Sequence, residues 1–269
     1  MTFDLRLVGL IGTHAVLSFL CGMALLLTFV SAVWLLRECG PATSKTPRAQ
    51  QRALWARWVP WVASLAVAIG AALLFFEMAE ASRAQEAMAG FDAVLAQTLG
   101  ESVSPMTARL FGAATHLGDP ATLMALGLVV AVALMVLRQR ALTAFWIAAL
   151  VGNGSINTLL KNVYERTRPS AEVLHQLTVP SLAKGWSFPS GHTSGAVVAY
   201  GALAYIMVCT VPSRWHLPVV LLAVAVAFTV AVSRVILQVH WASDVVAGSI
   251  SGMLWLAVCV VAVERLGRS

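Results

Sequence analysis

Residues 141–160 read ALTAFWIAALVGNGSINTLL and contain no charged side chain, and the next nine residues read KNVYERTRP. A helix of about 20 apolar residues spans the roughly 30 Å hydrocarbon core of a bilayer. Because lipid offers the backbone no hydrogen-bond partner, a stretch that spans the bilayer in this way is expected to be helical. This segment therefore predicts a membrane helix that ends in a cluster of positive charges.

The same pattern recurs along the chain. Six further stretches without Asp, Glu, Lys or Arg are Ala15–Leu36, Trp58–Phe76, Pro120–Leu137, Thr193–Val211, Leu217–Val232 and Val245–Val263. Of the 269 residues, 59% are hydrophobic and 11% are charged, whereas soluble domains carry about 25% charged residues. The composition excludes a soluble enzyme, a disordered chain and a disulfide scaffold, and it predicts an all-α integral membrane protein with seven spans.

The charges that remain predict the orientation in the membrane. The formal net charge is +6. The connector 37–57 holds five basic residues and one acidic residue, whereas the connector 77–119 holds six acidic residues and two basic residues. Since Lys and Arg accumulate in cytoplasmic loops, connector 37–57 is expected in the cytoplasm and the N-terminus outside. The basic residues follow the first apolar run, so this run is expected to be a retained helix rather than a cleaved signal. The basic excess indicates membrane orientation, and no nucleic-acid partner is expected.

Three polar clusters interrupt the second half of the chain, and alternation of the spans places all of them on the outer face. The clusters are Lys161…Arg168-Pro169, Pro189-Ser190-Gly191-His192 and Ser233-Arg234…His240…Asp244. Arg presents a planar fork that binds phosphate oxygens in pairs, and Lys adds a point charge. A helix that starts at a Ser-Gly sequence offers free N–H groups to an anion. The clusters lack the additional Asp and Glu ligands that a phosphate-binding Mg²⁺ would need, so no metal is predicted.

The two histidines of these clusters suit phosphoryl transfer. His240 and Asp244 are four residues apart, so on one helical turn they would share a face. A carboxylate bonded to one imidazole nitrogen makes the other nitrogen a better nucleophile. His192 comes from a different helix and is free to act as the acid. Together with three cations, these residues form the minimum set for transfer through a phospho-histidine.

The clusters resemble the signature motifs of the type 2 phosphatidic acid phosphatase superfamily, which also includes vanadium haloperoxidases and bacterial acid phosphatases. The family pattern K-x6-R-P, P-S-G-H and S-R-x5-H-x3-D is matched at every position. The resemblance implies that His240 attacks phosphorus, that Asp244 orients it, and that His192 protonates the leaving oxygen and then activates water. It also implies a phosphate-binding set without metal or cofactor, formed by Lys161, Arg168, Ser190, Gly191 and Arg234.

Membrane members of this family have a six-helix core, so the resemblance implies a division of the chain. Residues 1–57 would form an additional N-terminal transmembrane helix with a basic cytoplasmic connector, residues 58–263 the six-helix phosphatase core, and residues 264–269 a cytoplasmic tail. The implied activity is hydrolysis of a terminal phosphate on a membrane lipid, with the site facing the periplasm of a bacterial inner membrane. Candidate substrates are undecaprenyl diphosphate, phosphatidylglycerol phosphate, phosphatidate and lipid A phosphate.

Two other functions remain open at this point. A lipid-to-lipid phosphotransferase would use the same residues, and a non-enzymatic lipid transporter would show no turnover. The sequence leaves the head group, the tail and the oligomeric state open.

Several weaker patterns also make predictions. Apolar residues at three- to four-residue spacing in 91–99 favour a short surface helix, with a solvated loop as the alternative. Gly118-Asp119-Pro120 predicts a helix start, and Gly248 with Gly252 predicts close helix packing. Residues interpreted as outside the catalytic machinery are Arg166 (an interfacial anchor), Trp241 (an interfacial or pocket-wall residue), His14, His116, His175 and His216.

Overall fold

The computed structural model describes residues 5–38, 69–80, 89–169 and 185–266, and most of these residues are helical. The helices are α1 (Leu5–Thr13), α2 (Ala15–Glu38), α3 (69–80), α4 (Ala89–Ser102), α5 (Pro105–Thr115), α6 (Pro120–Val136), α7 (Arg140–Tyr164), α8 (Gly191–Thr210), α9 (His216–Ile236) and α10 (Ala242–Leu266). A 3₁₀ turn, His116–Gly118, joins α5 to α6. The predicted all-α class is confirmed.

The described helices account for most of the predicted spans. Five are long and apolar enough to cross a membrane, namely α2, α7, α8, α9 with the turn before it, and α10. The segment Pro105–Val136 forms a sixth candidate as a pair bent by 42°. The one predicted span not covered by these candidates is Trp58–Phe76, the second in chain order. Only its part from residue 69 onward is described, and that part is helical. The domain boundary predicted between residues 57 and 58 lies outside the described residues.

Helix α2 has the surface of a lipid-facing helix. No residue of its spanning window is fully buried within the protein, and Leu17, Leu25 and Phe29 are among its exposed side chains. A helix that is apolar on every face is stable only where lipid or protein covers it. On one side α2 contacts α9, where the rings of Phe19 and Phe228 stack with centroids 5.7 Å apart.

The main core lies between α6, α7, α8 and α10. Trp146 of α7 is fully buried at its centre, and its indole N–H donates to the Gly127 carbonyl of α6 at 2.8 Å. Because a buried indole without a partner would lose the free energy of that hydrogen bond, this contact fixes the register of α6 against α7.

Helices α8 and α10 approach each other more closely than side chains would allow. A Cβ atom at Gly248 would lie 2.6 Å from the Ser190 carbonyl, and one at Gly252 would lie 3.0 Å from the Ser194 carbonyl. The predicted close packing of these glycines is confirmed. It sets the start of α8 directly against the first turns of α10.

The predicted surface helix in residues 91–99 is also confirmed as a helix, since α4 covers this stretch. Leu95 and Leu99 of α4 are buried with Val8 of α1. Asp92, one turn before Leu95, is 2% exposed. Helix α4 therefore carries a carboxylate into the protein, at the end of the bundle described next.

Candidate active site

The three motif clusters meet at one end of the bundle, here called the site end. The motif residues occupy the last turn of α7 (Lys161), the first turn of α8 (Gly191, His192) with the residue before it (Ser190), the last turn of α9 (Arg234), the first turn of α10 (Asp244) and two connectors (Arg168, His240). The structure thus brings all eight predicted site residues together. Lys161, Arg234 and Asp244 lie inside helices rather than in loops, so each is held by the regular backbone around it.

The hydrogen bonds of His240 determine which of its nitrogens carries the proton. Nδ1 lies 3.3 Å from Oδ2 of Asp244, and Nε2 lies 3.1 Å from Nη1 of Arg168. A guanidinium can only donate, so Nε2 is the acceptor and the proton resides on Nδ1. This tautomer leaves Nε2 unprotonated, as a nucleophile requires, and His240 lines the cavity described below.

His240 is also kept neutral by its surroundings. Burial lowers its pKa well below the ordinary value, and the nearby cations Arg168, Arg234 and Lys161 lower it further. Both effects disfavour the imidazolium, because it would be a poorly solvated charge among like charges. Near neutral pH Nε2 of the ring therefore remains unprotonated.

Asp244 is oriented by two hydrogen-bond donors besides His240. Its Oδ2 accepts the Trp241 backbone N–H at 3.0 Å, an arrangement in which a residue in the first turn reaches back to the residue before the helix. Its Oδ1 accepts Nη1 of Arg166 at 2.7 Å. Asp244 is fully buried, so these donors supply the compensation that a buried carboxylate needs.

Arg166 links Asp244 to the carboxylate of Asp92. Its Nη2 donates to Oδ2 of Asp92 at 2.9 Å, and its guanidinium lies 5.5 Å from the Trp241 ring centroid. Asp92 also accepts the backbone N–H and the hydroxyl of Ser243. The interpretation of Arg166 as an interfacial anchor was wrong. Helix α7 ends at Tyr164, and the left-handed Glu165 redirects the chain inward.

Ser190 and Gly191 form the start of α8. The Ser190 hydroxyl caps the helix by accepting the Thr193 N–H, and Ser190 N–H donates to the Asp244 carbonyl at 3.0 Å. Ser190 is fully buried, and Gly191 lines the cavity. The structure therefore shows Ser190 as the residue that fixes the helix start on α10, and its predicted contact with phosphate remains a prediction.

A cavity of about 980 Å³ opens in front of His240. Its polar part is lined by Lys161, Arg168, Arg234, His192 and His240. Its apolar part is lined by side chains of α6 and α7, among them Leu123, Met124, Leu150 and Val151. The cavity thus combines a cationic end with an apolar wall.

Two of the cations are positioned by carbonyl groups at the rim. The Lys161 ammonium donates to the Trp186 carbonyl, and Nε of Arg168 donates to the Gly185 carbonyl at 2.9 Å. Arg234 is fully buried, and its Nη1 donates to the Thr115 hydroxyl at 2.7 Å. Arg168 also donates to the Val239 and Trp186 carbonyls. Each cation is therefore held by neighbouring oxygen atoms while its residue lines the cavity, which suits an anion with several oxygens.

Two carboxylates of this region were missed by the motif analysis. Asp92 reaches Asp244 through Arg166, and Asp119 lies 2.8 Å from Nε2 of His192. A signal was present, since Asp92 interrupts the apolar face of a predicted helix and Asp119 stands between a glycine and a proline. Among the described residues, no three His, Cys, Asp or Glu side chains are placed to hold a metal ion.

Comparison with known proteins shows which family this part of the chain resembles. The family model of the PAP2 superfamily matches residues 140–268, the segment that contains all three clusters. Residues 140–268 of the chain are thus similar to the PAP2 superfamily. The sequence is 28% identical to phosphatidylglycerophosphatase B of Bacillus subtilis over 184 residues, covering 67% of this chain and 87% of that protein.

A solved structure is also similar. The crystal structure of a transmembrane PAP2-type phosphatidylglycerolphosphate phosphatase from Bacillus subtilis aligns with a TM-score of 0.65 at 25% sequence identity. The alignment covers 74% of this chain and 96% of that structure. The comparisons confirm the predicted resemblance to the PAP2 superfamily, the membrane fold and the class of enzyme, a phosphoric monoester hydrolase. The matched family segment begins after Asp92 and Asp119, so neither missed carboxylate lies within it.

Proposed function

We propose that this protein hydrolyses the terminal phosphomonoester of a membrane lipid, and that phosphatidylglycerol phosphate is the first substrate to test. The observation that carries this proposal is the cavity, whose cationic end adjoins an apolar wall formed by Leu123, Met124, Leu150 and Val151. An amphiphile matches both parts, because its phosphate can reach the cations while its chain lies along apolar side chains. The choice of phosphatidylglycerol phosphate follows the two Bacillus proteins, whose names specify that activity.

The proposed reaction begins with attack of His240 Nε2 on phosphorus. The new N–P bond forms while the bond from phosphorus to the lipid oxygen breaks, and the electron pair leaves with that oxygen. His192 donates a proton to the leaving oxygen, and Asp244 accepts a hydrogen bond from Nδ1–H of His240, which stabilises the positive charge that develops on the ring. Lys161, Arg168 and Arg234 lie where they would bind the phosphoryl oxygens in the transition state.

The second half of the reaction releases phosphate. Water attacks the phosphorus of phospho-His240, His192 takes a proton from that water, and the N–P bond breaks with its electron pair returning to Nε2. The ring of His240 is then again neutral with its proton on Nδ1. The cycle consumes one water and returns both histidines to their initial states.

We place the site on the periplasmic side of a bacterial inner membrane. The basic residues at the helix ends remote from the site support this orientation, because Lys and Arg accumulate on the cytoplasmic side. These residues are Arg138 between α6 and α7, Arg140 at the start of α7, Arg214 before α9 and Arg265 at the end of α10.

Phosphate release by the purified full-length chain tests the proposal. The panel contains phosphatidylglycerol phosphate, phosphatidate, lipid A phosphate and undecaprenyl diphosphate, each with the wild type, with His240→Gln and with the control His14→Gln. We expect release from at least one lipid by the wild type and the control, and a loss on the order of 10⁴-fold or more in His240→Gln. Undiminished release by His240→Gln would overturn the mechanism, and transfer of labelled phosphate to another lipid instead of water would identify a phosphotransferase.

A further inference from the structure

Asp119 stands at the break between the 3₁₀ turn and α6. Its backbone is extended, with φ −63° and ψ 143°, and it occupies the position before the first residue of α6, but its side chain makes no capping hydrogen bond. An aspartate in this position ordinarily accepts a backbone N–H of the first turn. The carboxylate of Asp119 does not cap α6, so its hydrogen-bond partners lie outside this helix.

These partners are two histidines. Oδ1 of Asp119 lies 2.8 Å from Nε2 of His192, and Oδ2 lies 2.7 Å from Nδ1 of His116. The side chain of His116 is 57% exposed, whereas that of His192 is 17% exposed. Asp119 therefore connects a largely exposed histidine to the partly buried histidine of the site.

The bond to Asp119 determines which nitrogen of His192 is available for chemistry. An ionised carboxylate only accepts hydrogen bonds, so Nε2 of His192 carries a proton. Nδ1 is then the nitrogen that remains for a leaving group. This is the reverse of His240, whose Nδ1 faces the carboxylate of Asp244 and whose Nε2 faces Arg168. The site thus contains two histidine–carboxylate pairs with opposite ring orientations.

Asp119 also provides negative charge where the site is otherwise cationic. His192 lines the cavity together with Lys161, Arg168 and Arg234. Proton donation to a leaving oxygen requires the imidazolium, and three cations in the same cavity oppose that form. Asp119 is the carboxylate in direct contact with the His192 ring, so it offsets this repulsion at the residue that must hold the proton.

We propose that Asp119 is a positioning residue that orients His192 as the proton donor to the leaving alcohol. The inference depends on the proposed function, in which His192 is the acid. Nδ1 of His192 gives its proton to the lipid oxygen as the phosphorus–oxygen bond breaks, and it takes a proton from water in the second half. The Nε2 proton remains in its hydrogen bond to Asp119 throughout.

The test uses the dependence on the leaving group. A phenol leaves as a stable anion and needs little proton donation, whereas an alkyl alcohol needs it fully. The purified chain is assayed with an n-alkyl phosphate and with a 4-alkylphenyl phosphate of matched chain length. Release of the alcohol or the phenol is measured in the first turnover, because hydrolysis of the phospho-enzyme does not yet contribute to it. Asp119→Asn is compared with the wild type, with His192→Gln and with Glu101→Gln, a control for loss of an exposed acidic residue at the same end of the protein.

We expect Asp119→Asn to slow first-turnover release of the alkyl alcohol about 100-fold and release of the phenol less than about 10-fold, while Glu101→Gln matches the wild type. The double variant Asp119→Asn/His192→Gln is expected to be no slower on the alkyl substrate than His192→Gln alone, because both changes remove the same proton transfer. Equal losses on both substrates, or additive losses in the double variant, would overturn the inference. If the wild type released neither product, the proposed function itself would fail.

Discussion

Arg166 Nη1 lies 2.7 Å from Oδ1 of Asp244, and its other terminal nitrogen lies 2.9 Å from Oδ2 of Asp92. One guanidinium thus connects the carboxylate that orients His240 to a helix that precedes the matched family segment. The group is largely buried, since the side chains of Arg166, Asp92 and Asp244 are 11%, 1% and 0% exposed. Removal of one partner leaves a buried charge without compensation, a change that destabilises proteins by about 3–5 kcal/mol.

Arg166→Gln is therefore expected to lower the free energy of unfolding by about 3–5 kcal/mol and to reduce turnover more strongly than the loss of folded protein explains. Thermal unfolding in detergent and turnover per folded molecule measure the two effects. Arg109→Gln removes an exposed arginine and is the matched control, with an expected change within about 0.5 kcal/mol. An Arg166→Gln protein as stable and active as this control would contradict the role assigned to the ion pairs of Arg166 with Asp92 and Asp244.

Asp92→Asn tests the same ion pairs by changing the carboxylate that faces Arg166. The amide oxygen can still accept from Ser243, but the negative charge that faces Arg166 is lost. We expect Asp92→Asn to destabilise the protein, and we expect Asp92→Asn/Arg166→Gln to be more stable than the sum of the single changes predicts, because the two residues interact directly. Strictly additive free energies of unfolding would show that the two side chains do not act together.

The lowered pKa of His240 predicts a neutral ring under mildly acidic conditions. Its pKa is held well below the ordinary value of 6.5 by burial and by Arg168, Arg234 and Lys161. The ¹⁵N shifts of His240, compared with those of His240→Gln, are expected to remain those of a neutral ring with its proton on Nδ1 as the pH falls through 6.5. An unfolded chain binds this proton more readily, so the contribution of His240 to stability is full above 6.5 and decreases as the pH falls. Titration with an ordinary pKa would contradict this environment.

Inhibitors test the nature of the transition state. Vanadate adopts the trigonal-bipyramidal geometry of phosphoryl transfer, so we expect it to compete with the lipid substrate. Since no metal site is found among the described residues, EDTA is expected to leave turnover unchanged. The effects of vanadate and EDTA are both measured as phosphate release. Inhibition by EDTA that Mg²⁺ reverses would contradict a site in which Lys and Arg side chains alone bind the phosphate.

The close contact of α8 with α10 predicts an effect of a single methyl group. Gly248→Ala places a Cβ atom 2.6 Å from the Ser190 carbonyl, so one helix must shift, with an expected destabilisation of about 1–3 kcal/mol and loss of turnover. Gly112→Ala is the control, because nothing lies within 4 Å of its Cβ position and a helical alanine is favoured over glycine by roughly 0.5–1 kcal/mol. Similar unfolding temperatures for the two variants would contradict the packing argument.

The sequence predicted the spans and the motif residues well, because both depend on local patterns. Charge-free stretches of about 20 residues are specific for membrane helices, and the spacing from Lys161 to Asp244 carries the family motifs. Asp92 and Asp119 could not be assigned in this way, since their roles depend on which helices pack together. The error at Arg166 had a local cause. A left-handed residue at Glu165 ends the helical periodicity on which the interpretation relied.

The position of α4 against α1 and α10 bears on how the protein could be engineered. A transplant of residues 140–268 onto another membrane scaffold would carry both histidines and all three cations of the cavity. It would leave behind Asp92 and Asp119, the carboxylates that contact Arg166 and His192. The smallest portable unit of this enzyme therefore extends upstream to at least α4, and a chimera built on the motifs alone would inherit the reactive groups without these two carboxylates.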